Sequence, residues 1–201
     1  MSTQKRQYEL KARADRQQAT RRRIIEATAA LHGEVGPART TVVEIARRAG
    51  VQRLTVYNNF PDDRALFDAC GAHWMAANPL PDMSAAMAES DPAVRLRLII
   101  TGLYGWYREH RQTTENMQRD RLLLPSLDMV MKVRMDQQMG GMASTLASGF
   151  PAAATSGGVR AAVALALDFW TWRRLSQEGM TDAAAARVMV DSVRAAAGLL
   201  S

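Results

Sequence analysis

One cysteine, three histidines and a 6% share of aromatic residues are the scarcities that first narrow this 201-residue chain. With Cys70 alone, no intrachain disulfide framework can form, which fits a reducing compartment. At the end of an apolar stretch that thiol reads as a small packed hydrophobe. His32, His73 and His110 are scattered in the sequence. Together with Cys70 they give no metal-ligand spacing, and the chain has neither a phosphate loop nor a nucleophile elbow. An enzyme, a metal site and a cofactor are therefore not expected. No run stays apolar long enough to span a bilayer, and the polar opening MSTQKRQYELKARADRQQATRRR lacks the apolar segment of a secretory signal. A soluble cytoplasmic protein without a membrane partner is expected. Strand-like alternation is also scarce, whereas Ala, Leu, Met and Arg abound and 47% of the residues are hydrophobic. These point to an all-α chain with a sizeable core.

What the chain does have is positive charge, unevenly placed. Residues 1–70 hold 13 Lys and Arg against 8 Asp and Glu, a balance of +5, and residues 71–201 hold 13 against 12, a balance of +1. Phosphate neutralisation needs this kind of local excess. The excess surrounds residues 41–60, TVVEIARRAGVQRLTVYNNF, which read as two short amphipathic helices joined by a glycine turn. Val42, Ile45 and Ala46 form an i, i+3, i+4 stripe, Ala49 and Gly50 supply the turn, and Val51, Leu54 and Val56 resume apolar character. The second helix buries Val51 and Val56 and leaves Gln52, Arg53, Thr55, Tyr57 and Asn58 for groove edges and phosphates. Gln52 can pair with adenine, Arg53 can reach guanine or a phosphate, and Thr55 offers a hydroxyl and a methyl. Thr40 or Thr41, opening the preceding helix, can present a hydroxyl and backbone N–H groups to another phosphate.

From Ile24 to Phe67 the order of features resembles the DNA-binding domain of the TetR family of bacterial transcriptional regulators. An opening helix, IIEATAALHGEVG, leads to a threonine-started second helix, the IARRAGV turn, a helix ending in Tyr57 and Phe60, and a fourth helix carrying Ala65, Leu66 and Phe67. The resemblance implies that Tyr57 and Asn58 fix register on phosphates. The chain departs from the family pattern at three places. Leu54 stands where a small residue is common, and either touches a thymine methyl or packs. Asn59 replaces the histidine before the phenylalanine. Asp62-Asp63-Arg64 puts a carboxylate where a lysine usually grips DNA. The family lysine's role is not carried onto Asp63; Arg64 and the arm at Arg21, Arg22 and Arg23 are the substitutes.

Three segments follow from this reading: a flexible basic arm over 1–18, disordered or frayed helix in the free protein, a helix-turn-helix domain over 19–78, and a helical body over 79–201. Asp62 or Asp63 caps the fourth helix, and Asn78-Pro79-Leu80-Pro81 ends it. In the body, helices are expected from Pro92 to about Arg111, from Thr114 to Leu123, and from Ser126 to about Leu146 with a bend at Gly140-Gly141. Two more are expected from Val159 to Gln177 and from Thr181 to Gly198, for about nine in all. His32 and His110 read as solvated.

The resemblance also implies a cavity between the middle helices and a paired-helix dimer. The candidate effector residues are His73, Trp74, Leu103, Tyr104, Trp106, Tyr107, Met117, Arg121, Met129, Phe169 and Trp170, suited to a largely apolar small molecule. Asp168 is a further candidate for orienting it. The candidate dimer interface is Val163, Leu167, Trp170 and Leu175 with Val188, Met189, Val193 and Ala196; the other reading of those residues is an intramolecular hairpin. The expected function is that of a homodimeric, ligand-responsive repressor on a palindromic operator. A DNA-binding dimer without an effector is the alternative.

Overall fold

The computed structural model describes residues 3–151 and 157–199, and no strand occurs among them. In chain order the helices are α1 (Thr3–Glu34), α2 (Val42–Ala49), α3 (Arg53–Asn59), α4 (Asp63–Ala77), α5 (Ser84–Met87) and α6 (Pro92–Glu109). They continue with α7 (Arg111–Asp120), α8 (Pro125–Met131), α9 (Gln137–Ala147), α10 (Gly157–Leu167), α11 (Phe169–Gln177) and α12 (Asp182–Ala196). Two compact units are present: Met1–Pro79 with Glu115–Val130, and Leu80–Thr114 with Met131–Ser201. The break after Pro79 lies in the proline-bearing loop. Segment 115–130, read from sequence as body, packs instead with the first unit.

In the first unit, Ile24, Ala27 and Leu31 of α1 meet Ile45, Ala46 and Ala49 of α2, with Val56, Phe60 and Leu66 completing the cluster. Each large aliphatic side chain withdrawn from water contributes about 1.5–3 kcal/mol. Local chemistry fixes the breaks. Thr41 caps α2 by accepting the Glu44 N–H at 3.2 Å, and Asp62, not Asp63, caps α4 through the Ala65 N–H at 2.7 Å. Gly50 closes α2 at φ 64°, the left-handed conformation that only glycine adopts without strain. The segment read as a loose arm is the beginning of α1, which runs unbroken from Thr3, with Gln7–Leu10 exposed.

One expectation fails in this unit. His32 is buried, not solvated: its Nδ1 lies 3.6 Å from Cys70 Sγ and its ring 5.5 Å from that of Phe67. The amide of Asn116 donates to the His32 and Gly33 carbonyls at 3.2 and 2.9 Å. The covering residues come from α4 and α7, distant in sequence, so α1 has a wider buried face than its own periodicity suggests.

The second unit is organised around α6, whose Leu96, Ile99, Ile100, Leu103, Tyr104 and Tyr107 are buried, with α10, α11 and α12 packed against it. The helix expected over 159–177 is broken at Asp168. That carboxylate caps α11 by accepting the Thr171 N–H at 2.8 Å. The carbonyls orphaned at the end of α10 are taken up by two phenols, Tyr104 donating to Ala166 at 2.9 Å and Tyr107 to Leu167 at 2.8 Å. Between α8 and α9, a π-helical turn at Lys132–Asp136 interrupts the helix, whereas Gly140 and Gly141 lie in regular α9. His110 is half-buried, 4.8 Å from the Trp106 ring.

Candidate nucleic-acid interface

Only Val56 of α3 is buried, and Gln52, Arg53, Leu54, Tyr57 and Asn58 are all exposed. Such a helix contributes little to the core, so its outward side chains are free for another surface. Leu54 is 66% exposed and Tyr57 51%. Of the two roles open to Leu54, packing inside this unit is therefore not the one it performs. Gln52 occupies the N-cap of α3 without using its side chain there, which leaves its amide outward. Thr55 is half-buried.

Other expected contacts are already engaged within the unit. Asn59 turns its amide back onto the Thr55 carbonyl at 2.7 Å. Thr40 donates to the Gly36 carbonyl at 2.9 Å, and the Thr41 hydroxyl oxygen serves as the α2 cap. Arg21 donates to the Asn59 carbonyl at 2.6 Å, with its guanidinium 4.1 Å above the Phe60 ring. It thereby staples α1 to the end of α3. Arg22 lies 3.4 Å from Glu26, in an exposed i, i+4 pair worth little. Arg23 and Arg64 are exposed. The arginine run thus divides into one structural member and two outward ones.

Arg47 and Arg48 add charge near the turn, each tied to a carboxylate: Arg47 to Glu44 at 2.5 Å and Arg48 to Glu34 at 2.7 Å. Those hydrogen bonds hold both carboxyls below the usual range.

Sequence reasoning missed the support beneath this surface. The fully buried Asp120 carboxylate accepts the Ala38 backbone N–H at 2.9 Å and the Arg119 Nε–H at 2.6 Å. Burial alone would push its carboxyl up, but the Arg119 and Ala38 hydrogen bonds win and hold it down. Gly36, at φ 93°, lets the turn pass so close that an added Cβ would lie 2.5 Å from both Arg119 Nη2 and Asp120 Oδ2. The sequence of α7 is mostly polar and both of its buried side chains, Asn116 and Asp120, are themselves polar, so it reads as surface.

The expected effector residues divide between the units. His73, Trp74, Met117, Arg121 and Met129 fall in the first; His73 and Met129 are exposed, and Arg121 is paired with Asp128 at 2.8 Å. Leu103, Tyr104, Trp106, Tyr107, Phe169 and Trp170 fall in the second. There Tyr107, Phe169 and Trp172 form a packed aromatic cluster with ring separations of 5.4–5.8 Å. Burial pushes the Tyr104 and Tyr107 phenols up, and both are occupied as caps of α10. Asp168, expected to orient a ligand, is the α11 cap. Among the expected interface residues, Val163, Leu167, Met189 and Val193 are buried within their own unit. They are therefore not surface a second copy could touch. Trp170, Val188 and Ala196 are exposed, and Leu175 is half-buried. No helix among the described residues is long and apolar enough to cross a membrane.

Comparison with known proteins places this geometry. The N-terminal model of the bacterial regulatory proteins, tetR family, matches residues 24–70. An uncharacterized HTH-type transcriptional regulator of Mycobacterium tuberculosis is 50% identical over 44 residues, 22% of this chain and 23% of that protein. The HTH-type transcriptional regulator BetI of Pectobacterium carotovorum is 34% identical over 84 residues, 41% of this chain and 43% of that relative. The matches thus span less than half the length of these curated relatives. In fold, the chain is similar to a TetR-like transcriptional regulator from Rhodococcus sp. RHA1, with a TM-score of 0.61 at 18% identity, covering 89% of this chain and 96% of that one.

Proposed function

We propose that this chain, whose residues 24–70 match the N-terminal model of the bacterial regulatory proteins, tetR family, is a sequence-specific transcriptional regulator that binds double-stranded DNA as a homodimer and represses from a palindromic operator. One observation carries the reading: α3 buries a single side chain and turns Gln52, Arg53, Leu54, Tyr57 and Asn58 outward. Gln52 and Arg53 supply donors and acceptors for base edges, Leu54 an apolar contact for a thymine methyl, and Tyr57 and Asn58 phosphate ligands. Arg23 and Arg64 add phosphate charge, while Arg21 positions α3. The homodimer reading rests on Leu165, Trp170 and Val188, large apolar side chains left exposed on α10, α11 and α12.

Genomic footprinting with the purified chain tests this directly. A protected palindrome, with half-sites about one helical turn apart, is the expected result; binding that shows no sequence preference at any salt concentration would overturn it. Sedimentation of the same protein should give a dimer, and Trp170→Glu or Val188→Glu should give monomers.

The signal that releases the operator is, on this reading, a largely apolar small molecule. A second reading, a DNA-binding dimer whose body is only a scaffold, is favoured by the packed Tyr107–Phe169–Trp172 cluster and by the commitment of both phenols to α10. Release of a defined operator by a small molecule selects the first reading. No release across a broad panel selects the second.

A further inference from the structure

The second unit carries an open cleft of about 780 Å³, which none of the expected effector residues line. Its walls are the first turns of α6, the residues just after α9, and one face of α12. Gly149 allows the walls to meet closely: a Cβ there would lie 3.2 Å from Pro92 Cβ and 3.3 Å from Arg95 Nη1. On α12, Arg187, Val190 and Arg194 follow i, i+3, i+7 spacing and so share one stripe. Val94 and Arg97 of α6 line the same cleft, and Phe150, buried, gives it an apolar floor together with Val190.

The charges do not cancel. Asp91 also lines the cleft, its carboxylate held at the start of α6 by the Ala93 and Val94 N–H groups at 2.8 and 3.0 Å. Asp191 lies 3.8 Å from Arg194. The guanidiniums of Arg97 and Arg187 make no hydrogen bond or ion pair among the described residues. Three arginines against two aspartates leave the lining one positive charge in excess, and two guanidinium forks without a hydrogen-bonding partner beside an apolar floor complement a molecule with a planar anionic end and an apolar body, since guanidinium matches carboxylate geometry. A bare inorganic anion would leave the floor wet. The volume is within the range that holds a small organic ligand.

We propose that this cleft binds a small organic carboxylate with an apolar body, held at its anionic end by Arg97 and Arg187 and laid against Val94, Phe150 and Val190. The site is separate from the DNA-facing helices, and its test needs no operator, so it can fail while the regulatory reading stands, or the reverse.

Isothermal titration of the full chain with decanoate, decanol and inorganic phosphate tests the proposal. Decanoate is expected to bind with the highest affinity of the three. The double variant Arg97→Gln, Arg187→Gln, which keeps most of each side-chain stem, should weaken decanoate about tenfold or more and leave decanol unchanged. Arg187→Glu alone should weaken decanoate as well, and unchanged thermal unfolding would exclude a folding artefact in either variant. Equal decanoate affinity in the wild type and the double variant would overturn the proposal. So would decanol or phosphate binding as tightly as decanoate, or no decanoate binding up to its solubility limit.

Discussion

Asp120 accepts the backbone N–H of Ala38 at 2.9 Å, so a carboxylate eighty-two residues away closes the turn that leads into α2. The hydrogen bond replaces water at a buried carboxylate that also holds Arg119. Within this unit the turn is therefore set by α7 as well as by its own glycine and proline.

Asp120→Ala should accordingly cost roughly 1–3 kcal/mol, because it strands the Ala38 N–H and the Arg119 Nε–H, leaving Arg119 only its hydrogen bond to Asn116. Asp120→Asn, which keeps an acceptor oxygen, should cost less. Urea unfolding of the two variants gives the comparison; equal losses would show that a neutral acceptor of the same shape is no substitute and that the carboxylate's charge carries the contribution.

Glycine substitutions should separate two kinds of strain. At Gly50 an added Cβ meets only Arg23 Nη1, at 3.6 Å, so Gly50→Ala carries the left-handed backbone penalty of about 1 kcal/mol. At Gly36 the Cβ would overlap both Arg119 and Asp120, so Gly36→Ala should lose clearly more. Thermal melts showing Gly50→Ala as the worse variant would contradict that ranking.

Stability should depend on pH through His32. Burial lowers its pKa to about 4, with the Asp120 charge opposing the shift. The unfolded imidazole titrates near its ordinary 6.5, so between about 4 and 6.5 the unfolded state binds the extra proton. Stability therefore rises with pH across that window and is lost as pH falls through it. The contribution is about 3 kcal/mol at full extent, and from this group the curve is flat above the window. Denaturant midpoints measured from pH 4 to 8 should show the rise, and His32→Gln should flatten it.

The arginine run should split by role. Arg21→Ala removes the staple to Asn59 and Phe60, so it should lower thermal stability as well as DNA affinity. Arg23→Ala should leave stability within about 0.5 kcal/mol, as expected of an exposed site. It should lower the salt slope of DNA binding by about 1, the signature of one lost phosphate contact. Identical behaviour of the two variants in melting and in binding would remove the distinction.

Tyr107→Phe should cost about 1 kcal/mol by leaving the Leu167 carbonyl without its donor. Asp168→Ala should cost a similar amount through the lost α11 cap. The two serve the same helix break, so the double variant should depart from additivity.

Elements whose cause lies within a few residues were legible in the chain itself. The Val42–Ile45–Ala46 stripe, the Gly50 turn, the Asp91-Pro92 start and Thr181, which caps α12 by accepting the Ala184 N–H at 3.3 Å, are local patterns whose causes lie only a few positions apart. The outward face of α3 was legible for the same reason: a seven-residue helix with one side committed to the core leaves the other in solvent. The break at Asp168 was harder to read, because it depends on Tyr104 and Tyr107 reaching carbonyls about sixty positions away.

The sequence by itself determined the helical class, the TetR-type head and the chemistry offered by Gln52, Arg53 and Tyr57, because periodicity, capping and residue type are short-range properties. Tertiary structure alone decided that His32 is buried, that Arg21 is a staple, that Tyr104 and Tyr107 are caps, and that segment 115–130 belongs with the head. Each of those outcomes depends on which distant side chain arrives opposite, and burial and hydrogen-bond pairing are set there by packing across the chain.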